Sequence, residues 1–155
     1  MATPATIKTS YYKKIIESKR ENVKVFQQAC PEFVPEIEKT NLDLNKLNYL
    51  SDLYINPLLK ENVEEIILGC SHYPLIYSVL RNKIDSKIRI IDPSDALVNK
   101  FNNSFLIPKN HCDDNISLDN IKFFVTAKSN EFSKKVKYWL KINKEIRLVN
   151  LRSND

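Results

Sequence analysis

Cys70, Ser71 and His72 stand together in the stretch Ile66-Ile67-Leu68-Gly69-Cys70-Ser71-His72-Tyr73-Pro74. A thiolate is a nucleophile and a base, an imidazole exchanges protons near neutral pH, and a serine hydroxyl donates to carboxylates. Such a set suits proton transfer or nucleophilic chemistry on a small anionic molecule. A buried cysteine at a strand end, followed by a capping serine, would leave the same three letters, and a bare Cys-x-His does not choose between the two.

The surrounding pattern says what must position these residues. Glu65 to Leu68 reads as a buried strand and Pro74 to Lys83 as a helix with proline in its first turn, where proline is tolerated. In open α/β sheets ligands bind at the carboxyl ends of strands, and the amides that open a helix favour an anion. Gly69 lets the backbone turn tightly or approach a ligand closely. Further helices are expected at Thr9 to Arg20, Asp43 to Lys60, Asp92 to Phe101 and Glu131 to Leu140. The second carries Leu44, Leu47, Leu50, Tyr54 and Leu58 at helical spacing, with Pro57 near its end. Short strands are expected at Val23 to Phe26, Lys87 to Ile91, Ile121 to Val125 and Ile146 to Asn150, and residues 106–120 are polar and aperiodic, a loop. Alternation of strands and helices indicates an α/β layer fold. Such a unit usually leads with a strand, so something strand-like is expected in front of Met1.

Composition narrows the classes. With 155 residues, 43% of them hydrophobic, the chain suits one domain or one and a fraction. No run approaches a membrane span, and the N-terminus lacks the charged and apolar regions of a secretory signal, so a cytoplasmic protein with no membrane partner is expected. The net charge of +5 comes with 19 Lys, 17 Ile and 17 Asn. These residues share AT-rich codons, and the lysines are scattered among 19 acidic residues, so no nucleic-acid partner is expected. Lys134, Lys135, Lys137 and Lys141 form the densest basic cluster, the solvated face of a helix whose other side is Phe132, Val136, Trp139 and Leu140. A chain this long would carry about eleven glycines at ordinary usage, and this one has only Gly69, which excludes glycine-rich phosphate loops. Cys30, Cys70 and Cys112 form no CxxC pair, and Cys112 with His111 supplies too few ligands for a metal, so neither a disulfide framework nor a metal site is expected.

Three ordered blocks carry a resemblance. Leu68-Gly69-Cys70-Ser71-His72-Tyr73-Pro74-Leu75 resembles the LGCTHYPL signature of the glutamate racemases, within the aspartate/glutamate racemase family. Ala29-Cys30-Pro31-Glu32-Phe33-Val34-Pro35-Glu36-Ile37-Glu38 is similar to that family's ACPxFVPxxE segment, and Ala2-Thr3-Pro4-Ala5-Thr6-Ile7 to its GTxxTI turn. The resemblance implies a parallel-sheet, three-layer α/β domain. It also implies an isomerase that interconverts L- and D-glutamate without a cofactor and supplies D-glutamate for peptidoglycan, hence for cell wall biogenesis and cell shape. Cys70 then matches one of two cysteines that act on opposite faces of the α-carbon. His72 matches the histidine that assists it, and Glu38 the acid that supports this histidine. Ser71, in place of the usual threonine, together with Thr3 and Thr6, matches residues that bind substrate. On the residues alone, Glu38 could equally be a surface carboxylate, Thr3 and Thr6 helix caps, and Cys30 a packing residue beside Pro31.

The family pattern also contains a first catalytic cysteine in a CNT motif, an aspartate-serine contact and a Pro-Tyr-Gly turn, none of which occurs in these 155 residues. The resemblance therefore implies a C-terminal fragment. Residues 1–95 would be most of the second racemase domain without its first strand, and 96–155 the returning C-terminal part of the first racemase domain, a partial α/β domain that includes the 106–120 loop. A homo-oligomer, association with a missing N-terminal half, or a non-catalytic glutamate-binding or racemase-partner role all stay open. A nucleic-acid accessory is the weaker alternative.

Overall fold

The computed structural model describes residues 1–104 and 121–151. Cys112, His111 and the expected 106–120 loop lie outside the described residues. The chain divides into two compact units, Met1–Phe105 and Leu106–Asp155.

The first unit is organised around parallel pairing. Strand β1 (Glu65–Ile67) pairs with β2 (Arg89–Ile91) in parallel, with Ile66 opposite Ile90. Beyond the end of β1 the pairing continues through single bridges. Ala2 is paired in parallel with both Gly69 and Ala29, its N–H donating to the Gln28 carbonyl at 3.0 Å and its carbonyl accepting from Cys30 N at 2.9 Å. Met1 and Ala2 thus occupy the slot between the 28–30 stretch and the end of β1, so the strand-like pairing expected in front of Met1 is made by the chain's own first two residues.

Helices α1 (Pro4–Thr9) and α2 (Tyr11–Lys19) stand where one helix over Thr9 to Arg20 was expected. Ser10 separates them in the left-handed region, at φ 52°. The expected strand at Val23 to Phe26 does not form. The Val25 amide donates to Glu17 Oε1 at 3.0 Å, and the ladder partners go to Gln28 and Cys30 instead. Helix α3 (Phe33–Ile37) is short and buries Phe33, Glu36 and Ile37.

Helix α4 (Leu44–Leu59) follows its sequence pattern closely. The Asp43 side chain caps it by accepting from Lys46 N, and Leu47, Leu50, Tyr54, Ile55 and Leu58 bury one face. Burying side chains of this size contributes roughly 1.5–3 kcal/mol each. After β1 the chain makes a 3-10 turn (Tyr73–Ile76) and then α5 (Tyr77–Arg81), rather than one helix from Pro74 to Lys83. Ile76, at φ −108° and ψ 23°, breaks the run. The Arg81 guanidinium then donates to the carbonyls of Ile84, Asp85 and Ile88, fixing the return into β2. Helix α6 (Pro93–Ser104) follows β2.

The second unit is a strand–helix–strand. Strands β3 (Phe123–Val125) and β4 (Ile146–Leu148) pair in parallel, joined by helix α7 (Ser129–Leu140), which buries Val136. The Phe123 and Phe132 rings meet at 6.4 Å. Helices and parallel strands in both units make this an α/β protein, as expected. Among the described residues, no helix is long and apolar enough to cross a membrane.

Candidate active site

Cys70 lies one residue past the level at which Ala2 pairs with Gly69, so Thr3 and Cys70 leave neighbouring strands side by side. The pairing is close enough to explain the single glycine. A Cβ on Gly69 would stand 3.0 Å from the Ala2 Cβ and 3.2 Å from the Met1 carbonyl oxygen. The close approach at Gly69 is to the chain's own Ala2 side chain and Met1 backbone, where a ligand was expected.

From Cys70 the chain turns at once, the Tyr73 amide donating to the Cys70 carbonyl at 3.2 Å. This tight turn brings the His72 ring back toward the thiol, with Nδ1 3.9 Å from Cys70 Sγ. The other ring nitrogen, Nε2, lies 3.1 Å from Glu38 Oε1, at the C-terminal end of α3. An ionised carboxylate only accepts hydrogen bonds, so Nε2 carries the proton. In the neutral ring Nδ1 is then unprotonated and faces the thiol as an acceptor. Glu38, 34 positions away in sequence, thereby selects the tautomer that lets His72 take a proton from Cys70.

Thr3 caps α1. Its Oγ1 accepts from the Thr6 amide at 3.3 Å and lies 3.0 Å from Thr6 Oγ1, so the pair is held together at the strand end. The capping reading of Thr3 is correct, and it leaves the two hydroxyls adjacent. Ser71 is exposed on the turn between Cys70 and His72. The structure thus brings Cys70, His72 and Glu38 into one row, joins Thr3 to Thr6, and places Ser71 on the turn that makes the row.

Cys30 is buried, with 1% of its surface exposed. Burial pushes its thiol up to about 12, against partial relief from neighbouring charge and hydrogen bonds. It lies on the far side of the Met1–Ala2 stretch from Cys70, two strand positions away, roughly 9–10 Å at ordinary strand spacing. That separation is too large for a disulfide without backbone movement. The sequence reading passed over Tyr73. Its hydroxyl is buried and donates to the Cys30 carbonyl at 3.3 Å. The available signal was a tyrosine among core positions, since a buried phenol needs a partner.

No protein-family profile matches the chain. A curated glutamate racemase from Prochlorococcus marinus (strain NATL1A) is 38% identical over 154 residues, covering 98% of this chain and 57% of that protein. The crystal structure of a glutamate racemase from Bacillus anthracis superposes with a TM-score of 0.79 at 27% identity, over 97% of this chain and 56% of the other. The chain resembles glutamate racemases along nearly its whole length. It spans a little over half the length of these relatives. A second racemase structure, from Francisella tularensis and in complex with D-glutamate, has a TM-score of 0.73 at 27% identity, again over 97% of this chain and 56% of the other. The matched region runs through all three blocks.

Proposed function

We propose that this chain provides one face of a glutamate racemase site. Cys70 acts as acid and base at the α-carbon, His72 exchanges the proton with it, and Glu38 holds His72 in the required tautomer. The observation that carries this reading is the row Cys70–His72–Glu38, with spacings of 3.9 Å and 3.1 Å. In the forward step the α C–H bond breaks, the proton bonds to the Cys70 thiolate, and the electron pair delocalises into the α-carboxylate. A proton delivered to the opposite face completes inversion. Positioned acid–base groups of this kind contribute about 10²–10⁴-fold each. The hydroxyls of Ser71, Thr3 and Thr6 donate to the substrate's carboxylate and accept from its ammonium group.

The opposing acid is not Cys30. It is buried, on the far side of the Met1–Ala2 stretch, out of reach of a ligand at Cys70. The family's other catalytic cysteine stands in a CNT motif that these 155 residues lack, so the second base is proposed to lie on another segment. Residues 1–95 are proposed as most of one racemase domain and 96–155 as part of the other. Phe124 and Leu148, exposed on the two-stranded sheet of the second unit, support a larger sheet around them, because parallel sheets are ordinarily covered on both faces. Association with a protein segment supplying the remaining half, a cytoplasmic location and a role in making D-glutamate for peptidoglycan follow from this reading.

A non-catalytic glutamate-binding role is the second reading, favoured by the single cysteine available at the site. Calorimetric titration with D- and L-glutamate tests the site. Binding is expected to weaken in Thr3→Ala and Ser71→Ala proteins, and unchanged binding in both would remove the proposed substrate contacts. Binding without any hydrogen exchange at the α-carbon would select the second reading.

A further inference from the structure

We infer that Tyr73 is a positioning residue that holds Glu38 at His72, acting from beneath the site without touching substrate. The inference rests on the proposed role of the Cys70–His72–Glu38 row and extends it inward. Tyr73 is completely buried, directly after His72 in the chain. Its hydroxyl donates to the Cys30 carbonyl at 3.3 Å and also meets the Cys30 thiol. Its ring packs edge-on against Phe33, with centroids 5.3 Å apart. Cys30 stands at the entrance to α3, Phe33 is the first residue of α3, and Glu38 follows its last.

These contacts close a loop. The backbone joins His72 to Tyr73, and the Tyr73 side chain joins that turn to the start of α3. Helix α3 leads to Glu38, and Glu38 returns to His72 at 3.1 Å. Tyr54 secures the same entrance from the other side, its ring 5.1 Å from Phe33 and its hydroxyl accepting from Glu32 N at 3.4 Å. Two buried tyrosines thus grip the Cys30–Glu32 backbone. Only Tyr73 also belongs to the turn that carries His72. A helix this short has little rigidity of its own, so its direction follows from what holds its first residues.

The test reads the His72 ring nitrogens by two-bond proton–nitrogen correlation, in the full chain and without substrate. The chain has two histidines, and His72 is assigned by its loss in His72→Gln. The native protein is expected to show one protonated nitrogen, Nε2, and one unprotonated, Nδ1. In Tyr73→Phe, which keeps the ring and removes the hydroxyl, the two signals are expected to move toward each other as the tautomers mix. Phe33→Leu removes the ring contact from the α3 side and is expected to do the same. A plain packing role would lower melting temperature and leave the tautomer alone. A native His72 pattern in a folded Tyr73→Phe or Phe33→Leu protein would overturn the inference. Because no turnover is measured, failure here is distinct from failure of the racemase reading.

Discussion

Gly69 and Ala2 sit against each other across a parallel bridge, so closely that a methyl group on Gly69 would stand 3.0 Å from the Ala2 Cβ, tighter than an ordinary contact. The atoms a new Cβ would meet are the Ala2 Cβ and the Met1 carbonyl oxygen, neither of which swings away by rotating a side chain. Gly69→Ala is therefore expected to push the Met1–Ala2 stretch off β1. Overpacking of this kind costs about 1–3 kcal/mol, against a gain of about 0.4–1 kcal/mol from a stiffer unfolded chain. A net loss of stability in chemical denaturation is expected, and a Gly69→Ala protein as stable as the native one would contradict the packing described.

Glu38 selects the His72 tautomer only because a carboxylate cannot donate. In Glu38→Gln the side chain keeps its size but presents both a donor and an acceptor, so either ring nitrogen can be protonated. Any α-hydrogen exchange catalysed by the chain is expected to fall about ten- to a hundred-fold, on the scale of losses when a histidine's orienting partner is removed. Melting temperature is expected to change little, since both partners are partly exposed. An exchange rate unchanged in Glu38→Gln would mean that the surface-carboxylate reading of Glu38 is the right one.

Cys30 and Cys70 should separate in reactivity. Near neutral pH a thiol-alkylating reagent is expected to label Cys70 in the folded chain and to spare Cys30, which becomes reactive on unfolding. The same burial makes stability depend on pH. The Cys30 thiol is raised from 9.0 to about 12 in the folded state, so above pH 9 the unfolded chain loses a proton that the folded chain keeps. Stability is then full below pH 9 and falls as pH rises toward 12. Tyr73 is also raised by burial and adds to the slope at its upper end. Cys30→Ala is expected to flatten the decline of unfolding free energy between pH 9 and 11. An equally steep decline in that variant would assign it to other groups.

Glu36 is a charge in a core position, 4% exposed. One oxygen pairs with Lys39 Nζ at 2.5 Å, and the other, Oε1, is buried with no hydrogen-bond partner among the described residues. Leaving a buried acceptor unsatisfied costs about 1–3 kcal/mol. Glu36→Leu is expected to raise the melting temperature, with Lys39 free to turn to solvent. A destabilised Glu36→Leu protein would show that the Lys39 pair outweighs the orphaned oxygen.

These residues also mark what the sequence makes legible. The α4 face and the β1–turn–helix junction follow from short-range pattern, because capping and periodicity are local, whereas the three site blocks are legible only through resemblance. The break at Ser10 depends on a left-handed backbone at a serine, which composition does not announce. The strand expected at Val23 to Phe26 lost its amide to Glu17, and the pairing went to Gln28 and Cys30. Glu36 reads as surface in any hydropathy pattern and is core. Glu38 was named through resemblance, whereas its contact with His72 spans 34 positions that no local pattern bridges.

The central claim is that Cys70 is a proton-transferring residue on one face of glutamate. Hydrogen–deuterium exchange at the α-carbon, followed separately for L- and D-glutamate in deuterated water, tests it most directly. The account predicts exchange without inversion, confined to one enantiomer and abolished by Cys70→Ser, because these residues supply one base. Exchange with inversion from both enantiomers would contradict the one-face assignment, and exchange that survives Cys70→Ser would contradict the role of Cys70.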